Sequence, residues 1–234
     1  MQPSTIGSGG YAETELLDRD GVAERKILRH DSTGIMSSGA AIGFLTFDKM
    51  EELDLVGPWE MFSAWAATGS GGDCFTVGAT SDPVRCRFGL RVTPDTSIAE
   101  APAAGVLVIP GGDGSRAAAD DSGIVDFVRR TVQGGAAVLS VCTGVRVLHA
   151  AGLLEGKRVT THHTAFDEVE RWGRVDLVKG QRFVQDGEVW TSAGVTAGMD
   201  LALAAIETWS SQDEADRVRA YVEYASGANR SLNP

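Results

Sequence analysis

The sequence is poor in cysteine. Its three cysteines, Cys74, Cys86 and Cys142, are an odd number and show no C-x-x-C spacing. Such a set suits free thiols in a reducing compartment better than a disulfide framework. A metal site is also not expected, because the adjacent His162 and His163 cannot both point to one face of a strand. We therefore expect a cytoplasmic protein with free thiols and without a metal site.

Long apolar runs and an excess of basic residues are also missing. No apolar run approaches the ~20 residues of a membrane-spanning helix, and we recognise no secretory signal. Lys and Arg number 21 against 32 Asp and Glu, which gives a formal net charge of -11. Nucleic-acid binding needs a basic face, so neither nucleic acid nor membrane is an expected partner.

The apolar content suffices for one sizeable core, since 43% of the 234 residues are hydrophobic. Residues 1–39 differ from the rest in being polar and rich in Gly and Ser, and we expect a mobile N-terminal extension in which residues 13–29 form one amphipathic helix. One hypothesis places the start of translation at Met36. Residues 40–234 are predicted to form a single domain.

Buried strands and amphipathic helices alternate along this domain. Short apolar runs predict strands, and apolar residues at helical spacing predict helices. The alternation is typical of an α/β sandwich with a mostly parallel sheet. The predicted strands are residues 41–47, 74–79, 105–110, 136–141 and 158–161, with hairpins over 84–92 and over 175–178 and 182–191. The predicted helices are residues 58–67, 123–133, 145–154, 199–209 and 212–224.

Cys142 stands at the turn between a predicted strand and a predicted helix. This is the position of a nucleophile elbow with cysteine in place of serine, and a helix N-terminus favours the reactive thiolate. The alternative is that Cys142 is a small buried hydrophobe. The residues alone leave both interpretations open.

Other candidates lie near the ends of other strands. Asp54 falls in the loop after the first strand, before a helix expected to begin at Pro58, and it is either a site carboxylate or a helix cap. Gly111 and Gly112 follow another strand, where glycine lets backbone N–H groups approach a ligand. Two further hypotheses are that His162 or His163 is a partner of the cysteine and that Glu51 and Glu52 are solvated.

Five segments together resemble one known family. They are L-D-L-V-G-P (53–58), I-P-G-G (109–112), S-V-C-T-G (140–144), T-T-H-H (160–163) and G-V-T-A-G (194–198). In this order and spacing, across residues 40–224, they are similar to the ThiJ/PfpI superfamily of glutamine-amidotransferase-like domains, and most similar to its isocyanide hydratase branch.

The resemblance implies a flavodoxin-like three-layer sandwich with a cysteine nucleophile elbow, a homodimer and no cofactor. It implies that Asp54 lies beside Cys142. It also implies that the Gly111–Gly112 loop supplies N–H donors to the reacting group and that Gly112 and Val195 line the pocket. His163 is a departure from the branch, which often has an aromatic residue there, and it is expected to alter the pocket.

Thr143 separates the branches of the superfamily. Peptidase-like and deglycase-like members commonly have a histidine after the nucleophilic cysteine, whereas a hydroxyl cannot act as a base near neutral pH. The C-T-G sequence with Asp54 is the hydratase pattern, in which Thr143 positions Asp54 or a water.

The predicted function is therefore a lyase that adds water to a small-molecule isocyanide and forms an N-substituted formamide through a covalent thioimidate on Cys142. Two alternatives remain: a redox or ligand sensor based on an oxidisable Cys142, and a glyoxalase or deglycase acting on α-ketoaldehydes.

Overall fold

The structure is a computed structural model that describes residues 13–17, 23–27 and 39–225. The strands are β1 (Glu13–Leu17), β2 (Ala23–Ile27), β3 (Ile42–Thr46), β4 (Cys74–Gly78), β5 (Val84–Arg85), β6 (Arg91–Val92), β7 (Thr96–Ser97), β8 (Val106–Ile109), β9 (Ala137–Ser140), β10 (Arg158–Val159), β11 (Asp176–Leu177), β12 (Phe183–Asp186) and β13 (Val189–Ser192). The α-helices are α1 (Glu52–Ala67), α2 (Ser115–Asp120), α3 (Ser122–Gln133), α4 (Val145–Ala150), α5 (Phe166–Arg171), α6 (Ala197–Trp209) and α7 (Gln212–Tyr221).

The chain divides into two compact units, Met1–Ser37 and Ser38–Pro234. In the first unit β1 and β2 pair antiparallel, with Glu15 opposite Arg25. The prediction of one helix over residues 13–29 is therefore wrong. Asp20-Gly21 interrupts that segment, and Asp-Gly is a dipeptide typical of hairpin turns. The predicted mobility of residues 1–39 and the predicted start at Met36 fall on positions that are mostly outside the described residues.

The second unit is built on a seven-stranded sheet of order β12-β13-β9-β8-β3-β4-β7. All neighbouring pairs run parallel except β12 with β13. In the order β4-β3-β8-β9-β13, β4 is added on one side of β3, and the later strands β8, β9 and β13 are added on the other side. The point between β3 and β8 is therefore the topological switch point of a flavodoxin-like sheet. The predicted fold class is confirmed.

Two groups of helices cover this sheet. Helices α1, α6 and α7 pack against one another, and α2, α3 and α4 form a second group. Right-handed crossovers on either side of the switch point place the groups on opposite faces. The central strands are therefore buried on both faces, and every residue of β3, β8 and β9 is buried. No helix in the part of the chain that the structure describes is both long enough and apolar enough to cross a membrane.

Helix α1 begins six residues earlier than predicted, at Glu52, and Pro58 lies inside it. Proline lacks the N–H that would bond to the carbonyl of Asp54, so the sequence alone favours a start at Pro58. Glu52 and Asp54 in the first turn interact favourably with the positive end of the helix. Asp54 is thus a helical residue and not part of a loop.

Two helices end earlier than predicted. Helix α4 ends at Ala150 and is preceded by a 3-10 turn, Cys142–Gly144, while α7 ends at Tyr221. Gly152, with a backbone φ of 74°, follows α4 closely, and such a left-handed glycine is a common way to end a helix.

Candidate active site

Four segments meet at the carboxyl edge of the parallel sheet, beside the switch point. The start of α1 follows β3, the Gly111–Gly112 loop follows β8, Cys142 follows β9 and Val195 follows β13. Parallel strands end at the same edge, which is where ligands bind in open α/β sheets. The motif residues thus come together because each one follows a strand.

Cys142 adopts a strained backbone conformation that the surrounding chain holds in place. Its φ is 57°, in the left-handed region that residues with a Cβ rarely adopt. Its N–H donates to the Ala193 carbonyl at 3.2 Å, and its carbonyl accepts the Thr161 hydroxyl at 2.7 Å. The strand, the strained residue and the following 3-10 turn form the predicted nucleophile elbow. The Cys142 side chain is buried, with only 6% of the residue exposed.

Val195 is a second strained residue at the same edge. Its φ is 53°, which is unusual for a β-branched side chain. Its N–H interacts with both reactive groups and lowers the pKa of Asp54 and of Cys142. Strain retained at two facing residues is typical of a functional site.

Asp54 is completely buried, in the first turn of α1. Its Oδ2 accepts the Gly111 N–H at 2.9 Å, while its Oδ1 is buried without a hydrogen bond of good geometry from the described residues. Burial raises the pKa of Asp54 to about 7, against the lowering effect of the Gly111 N–H. The charge of Glu51 raises the pKa further, and the Cys142 thiol lowers it. Asp54 therefore exchanges a proton near neutral pH.

Burial opposes the thiolate that the position of Cys142 at a helix N-terminus favours. Burial raises the pKa of Cys142 to about 12, and the charge of Asp54 adds to this effect. Thr143 and the Val195 N–H lower the pKa but do not compensate. The prediction relied on the dipole of a helix over residues 145–154, whereas the structure has a 3-10 turn followed by six α-helical residues, whose dipole is smaller.

The two glycines after β8 orient the site residues. The Gly111 N–H is bonded to Asp54, and the Gly112 N–H donates to the Thr143 hydroxyl at 3.0 Å. Both donors that were expected to serve the reacting group are therefore used within the site. Gly112 has a φ of 106°, and a Cβ there would lie 2.3 Å from the Glu51 backbone nitrogen. Only glycine allows this close approach.

Thr143 contacts the sulfur side of the site, not Asp54. Its hydroxyl accepts from the Gly112 N–H, lies 3.2 Å from the Gly112 carbonyl and is 3.0 Å from the Ser115 hydroxyl. Both the N–H and the hydroxyl of Thr143 lower the pKa of Cys142. Among the described hydrogen bonds none joins Thr143 to Asp54, so its action on the carboxylate is indirect.

A cavity of about 370 Å³ opens in front of Cys142. Its walls carry polar and charged groups, with Val195 as the one large apolar side chain among them. The lining residues are Glu51, Arg87, Gly112, Asp113, Arg116, Cys142, Thr143, Arg146, His162, Thr164 and Val195. Gly111 and Asp54 lie behind this surface.

His162, rather than the predicted His163, belongs to the cavity wall. His163 is exposed and is not part of the lining. The His162 ring is held by the Thr164 hydroxyl, 2.8 Å from Nδ1, and by Gly194, where a Cβ would lie 2.0 Å from the ring. Within the described residues neither imidazole is hydrogen-bonded to Cys142. The alternation of a strand does not continue through these residues, because a 3-10 turn begins at His163.

Several residues of the site carry no signal in the sequence. Glu51, expected to be solvated, is only 7% exposed. The β5–β6 hairpin brings Arg87 to it, with 3.3 Å between Nη1 and the Glu51 carboxylate. Ser115 and Arg146 were not singled out either. Their roles depend on contacts between distant segments, which periodicity and motifs do not encode.

The geometry combines a buried thiol with a buried carboxyl group that titrates near pH 7. Such a pair can add S–H across an electrophilic carbon, because the carboxylate removes the thiol proton and returns it to the carbon attacked. A cysteine peptidase instead relies on a histidine bonded to the thiol.

Comparison with known proteins agrees with this architecture. The sequence model of the DJ-1/PfpI family matches residues 40–208. The chain belongs to the DJ-1/PfpI family. An isonitrile hydratase of Pseudomonas putida is 36% identical over 184 residues, which are 79% of this chain and 78% of that protein.

Two further relatives of this DJ-1/PfpI protein are a solved structure and an enzyme with a different activity. The crystal structure of a ThiJ/PfpI family protein from Pseudomonas syringae superposes with a TM-score of 0.74 at 33% identity, covering 80% of this chain and 76% of that one. A glutathione-independent glyoxalase, DJR-1.2 of Caenorhabditis elegans, is 30% identical over 134 residues, 56% of this chain and 70% of the relative. The family therefore includes more than one enzyme activity.

Proposed function

We propose that this protein is an isocyanide hydratase, which adds water to an isocyanide to give an N-substituted formamide. The observation that carries the proposal is the pairing of Cys142 with Asp54, whose pKa is raised to about 7, at a site without a histidine bonded to the thiol within the described residues. The 36% identity to an isonitrile hydratase supports the same reaction.

The first step forms a thioimidate. The Asp54 carboxylate takes the thiol proton while the sulfur attacks the terminal carbon of R–N≡C, and the carboxylic acid then delivers that proton to the same carbon. The product is R–N=CH–S–Cys142, and Asp54 is again a carboxylate. A carboxyl group with a pKa near the working pH suits this shuttle, since it is effective both as a base and as an acid.

Water completes the reaction. Asp54 removes a proton from water as the oxygen adds to the imidate carbon, and that proton passes to the nitrogen, giving R–NH–CH(OH)–S–Cys142. The hydroxyl proton then leaves through Asp54 to the sulfur as the C–S bond breaks. The formamide R–NH–CHO is released and the thiol is restored. Thr143 and the Val195 N–H stabilise the departing sulfur.

The decisive experiment measures formamide production from p-nitrophenyl isocyanide by absorbance. We expect turnover by the wild type and a loss of at least about a hundredfold, the low end of general acid–base contributions, in Cys142→Ala and Asp54→Asn. Cys74→Ala is the matched control, because it removes another free thiol away from the site. Substantial turnover by Cys142→Ala would falsify the covalent mechanism, and inactive wild type would refute the function.

Glyoxalase activity is the second candidate, because DJR-1.2 is 30% identical to this chain. Methylglyoxal consumption separates the two, and we expect none at the enzyme concentration that turns over isocyanide. The sensor hypothesis needs a thiolate accessible to peroxide. Cys142 is only 6% exposed and its pKa is raised to about 12, so the site does not favour that role.

A further inference from the structure

Arg146 lies in a fixed orientation beside the site, although the proposed reaction does not use it. Its Nε and Nη2 donate to the Glu168 carboxylate at 3.0 and 2.8 Å. Such a two-pronged pair sets the plane of the guanidinium. The Arg146 side chain is 11% exposed and that of Glu168 is 18% exposed. Arg116 binds the same carboxylate at 2.7 Å from the exposed side.

The free arm of this guanidinium reaches a buried hydroxyl. Nη1 of Arg146 donates to Ser115 Oγ at 2.9 Å, and Ser115 is completely buried. A guanidinium only donates, so the serine oxygen accepts there and its own proton must point elsewhere. Two acceptors are in reach, the Gly112 carbonyl at 2.7 Å and the Thr143 hydroxyl at 3.0 Å.

This arrangement influences where the Thr143 proton goes. The Thr143 oxygen already accepts the Gly112 N–H, and its proton has two possible acceptors, the Gly112 carbonyl at 3.2 Å and the adjacent Cys142 sulfur. When Ser115 donates to the Gly112 carbonyl, it occupies one lone pair of that oxygen and leaves the sulfur as the better acceptor for the Thr143 proton. Without Ser115, the carbonyl competes for that proton.

We propose that Arg146 is a positioning residue that acts through Ser115 to direct the Thr143 hydroxyl at the Cys142 sulfur. The inference deepens the proposed function, because the proposed reaction requires a stabilised thiolate as attacking and leaving group. It is measured on the free thiol, however, and so stands or falls separately from isocyanide turnover.

All charged groups around Cys142 stay unchanged in Ser115→Ala. Asp54 faces the sulfur from α1, and the remaining charged or titratable groups lie across the cavity. They are Glu51, Arg87, Asp113, Arg116 and His162. Because the pKa of Asp54 is about 7, measurements above pH 8 keep that carboxylate ionised throughout.

The experiment follows alkylation of Cys142 by iodoacetamide from pH 8 to pH 10.5, with peptide mass spectrometry to separate Cys142 from Cys74 and Cys86. We expect Arg146→Met and Ser115→Ala each to slow the reaction about three- to tenfold at a given pH, as expected for one lost hydrogen bond to the thiolate. The double variant should be no slower than the single variants, since both interrupt the same chain of hydrogen bonds.

Arg116→Met is the charge-matched comparison, because it removes another guanidinium of the cavity wall and of Glu168 without touching Ser115, and its alkylation should slow less than that of Arg146→Met. An unchanged rate in Ser115→Ala refutes the proposal, whatever Arg146→Met does, because a through-space charge effect needs no serine. Slowing by Arg116→Met equal to that by Arg146→Met also refutes it. If Arg146→Met does not fold, Ser115→Ala, which keeps both ion pairs, decides alone.

Discussion

At the scale of single residues, we expect the Asp54 carboxyl group to control how activity depends on pH. Its pKa of about 7 means that the base is half-ionised near neutral pH. We expect kcat/KM for an isocyanide to rise as pH increases from 5 to 8, with an apparent pKa near 7 that belongs to the Asp54–Cys142 pair. Steady-state rates across this range test it, and a profile flat between pH 5 and 8 contradicts the role of Asp54.

The same carboxyl group affects stability. The pKa is raised from 3.8 to about 7, so between these values the folded state holds a proton that the unfolded state has lost. The contribution of Asp54 to the free energy of unfolding is therefore fully present below about pH 4. It is lost as the pH rises to and through 7, and the total loss is about 2–4 kcal/mol. Urea unfolding at pH 4.5 and 7.5 should show this loss in the wild type, and Asp54→Asn should lose less. Equal losses in both proteins contradict the assignment.

At the scale of elements, the site depends on the contact between the loop after β3 and the loop after β8. Gly112 forms a bridge with Met50, and Gly111 accepts the Glu51 N–H at 3.0 Å. This contact carries both the start of α1, with Asp54, and the glycines that hold it. A small displacement of either loop changes the Asp54–Cys142 pair.

Gly112→Ala should therefore destabilise the fold and reduce activity together. The added Cβ would lie 2.3 Å from a backbone atom. We therefore expect the free energy of unfolding to fall by about 3 kcal/mol or more, which exceeds the roughly 1–2 kcal/mol that a left-handed alanine costs by itself. Gly152→Ala is the control, since Gly152 also has a positive φ, of 74°, but its Cβ meets nothing within 4 Å. Denaturant titration of both variants measures the difference in the free energy of unfolding. Equal losses would mean that the loops move apart to accommodate the Cβ without a loss of stability.

The sequence predicts elements well where one local signal dominates. Apolar runs mark β3, β8 and β9, which are buried on both faces. Prediction from sequence fails where a contact with a distant segment determines the local structure or burial. Helix α1 starts before Pro58, Glu51 is buried because a hairpin brings Arg87 to it, and His162 faces the cavity because it packs on Gly194. None of these contacts has a local pattern.

At the scale of the whole molecule, the described part of the site lies within the unit Ser38–Pro234. We expect a chain that begins at Ser38 to keep its melting temperature within a few degrees and its kcat/KM within about twofold, since none of the named site residues is removed. Calorimetry and steady-state rates on the two chain lengths test this. A large loss would assign residues 1–37 a role in catalysis or folding.

The family resemblance also leads us to propose a homodimer. Light scattering at micromolar concentration should then give twice the chain mass of 24.6 kDa. Val56, Phe88 and Leu90 are large apolar side chains that are 42%, 77% and 49% exposed, and Phe88→Asp tests whether the hairpin takes part. A monomer mass for the wild type contradicts the proposal.

The raised pKa of Cys142 has a consequence for the working life of the protein. Peroxides and adventitious electrophiles consume thiolates, and a thiol whose pKa is about 12 offers them almost none. In the proposed reaction, the thiolate forms only while a substrate carbon is present to receive the proton held by Asp54. We therefore expect the number of turnovers before inactivation to be insensitive to ambient oxidant.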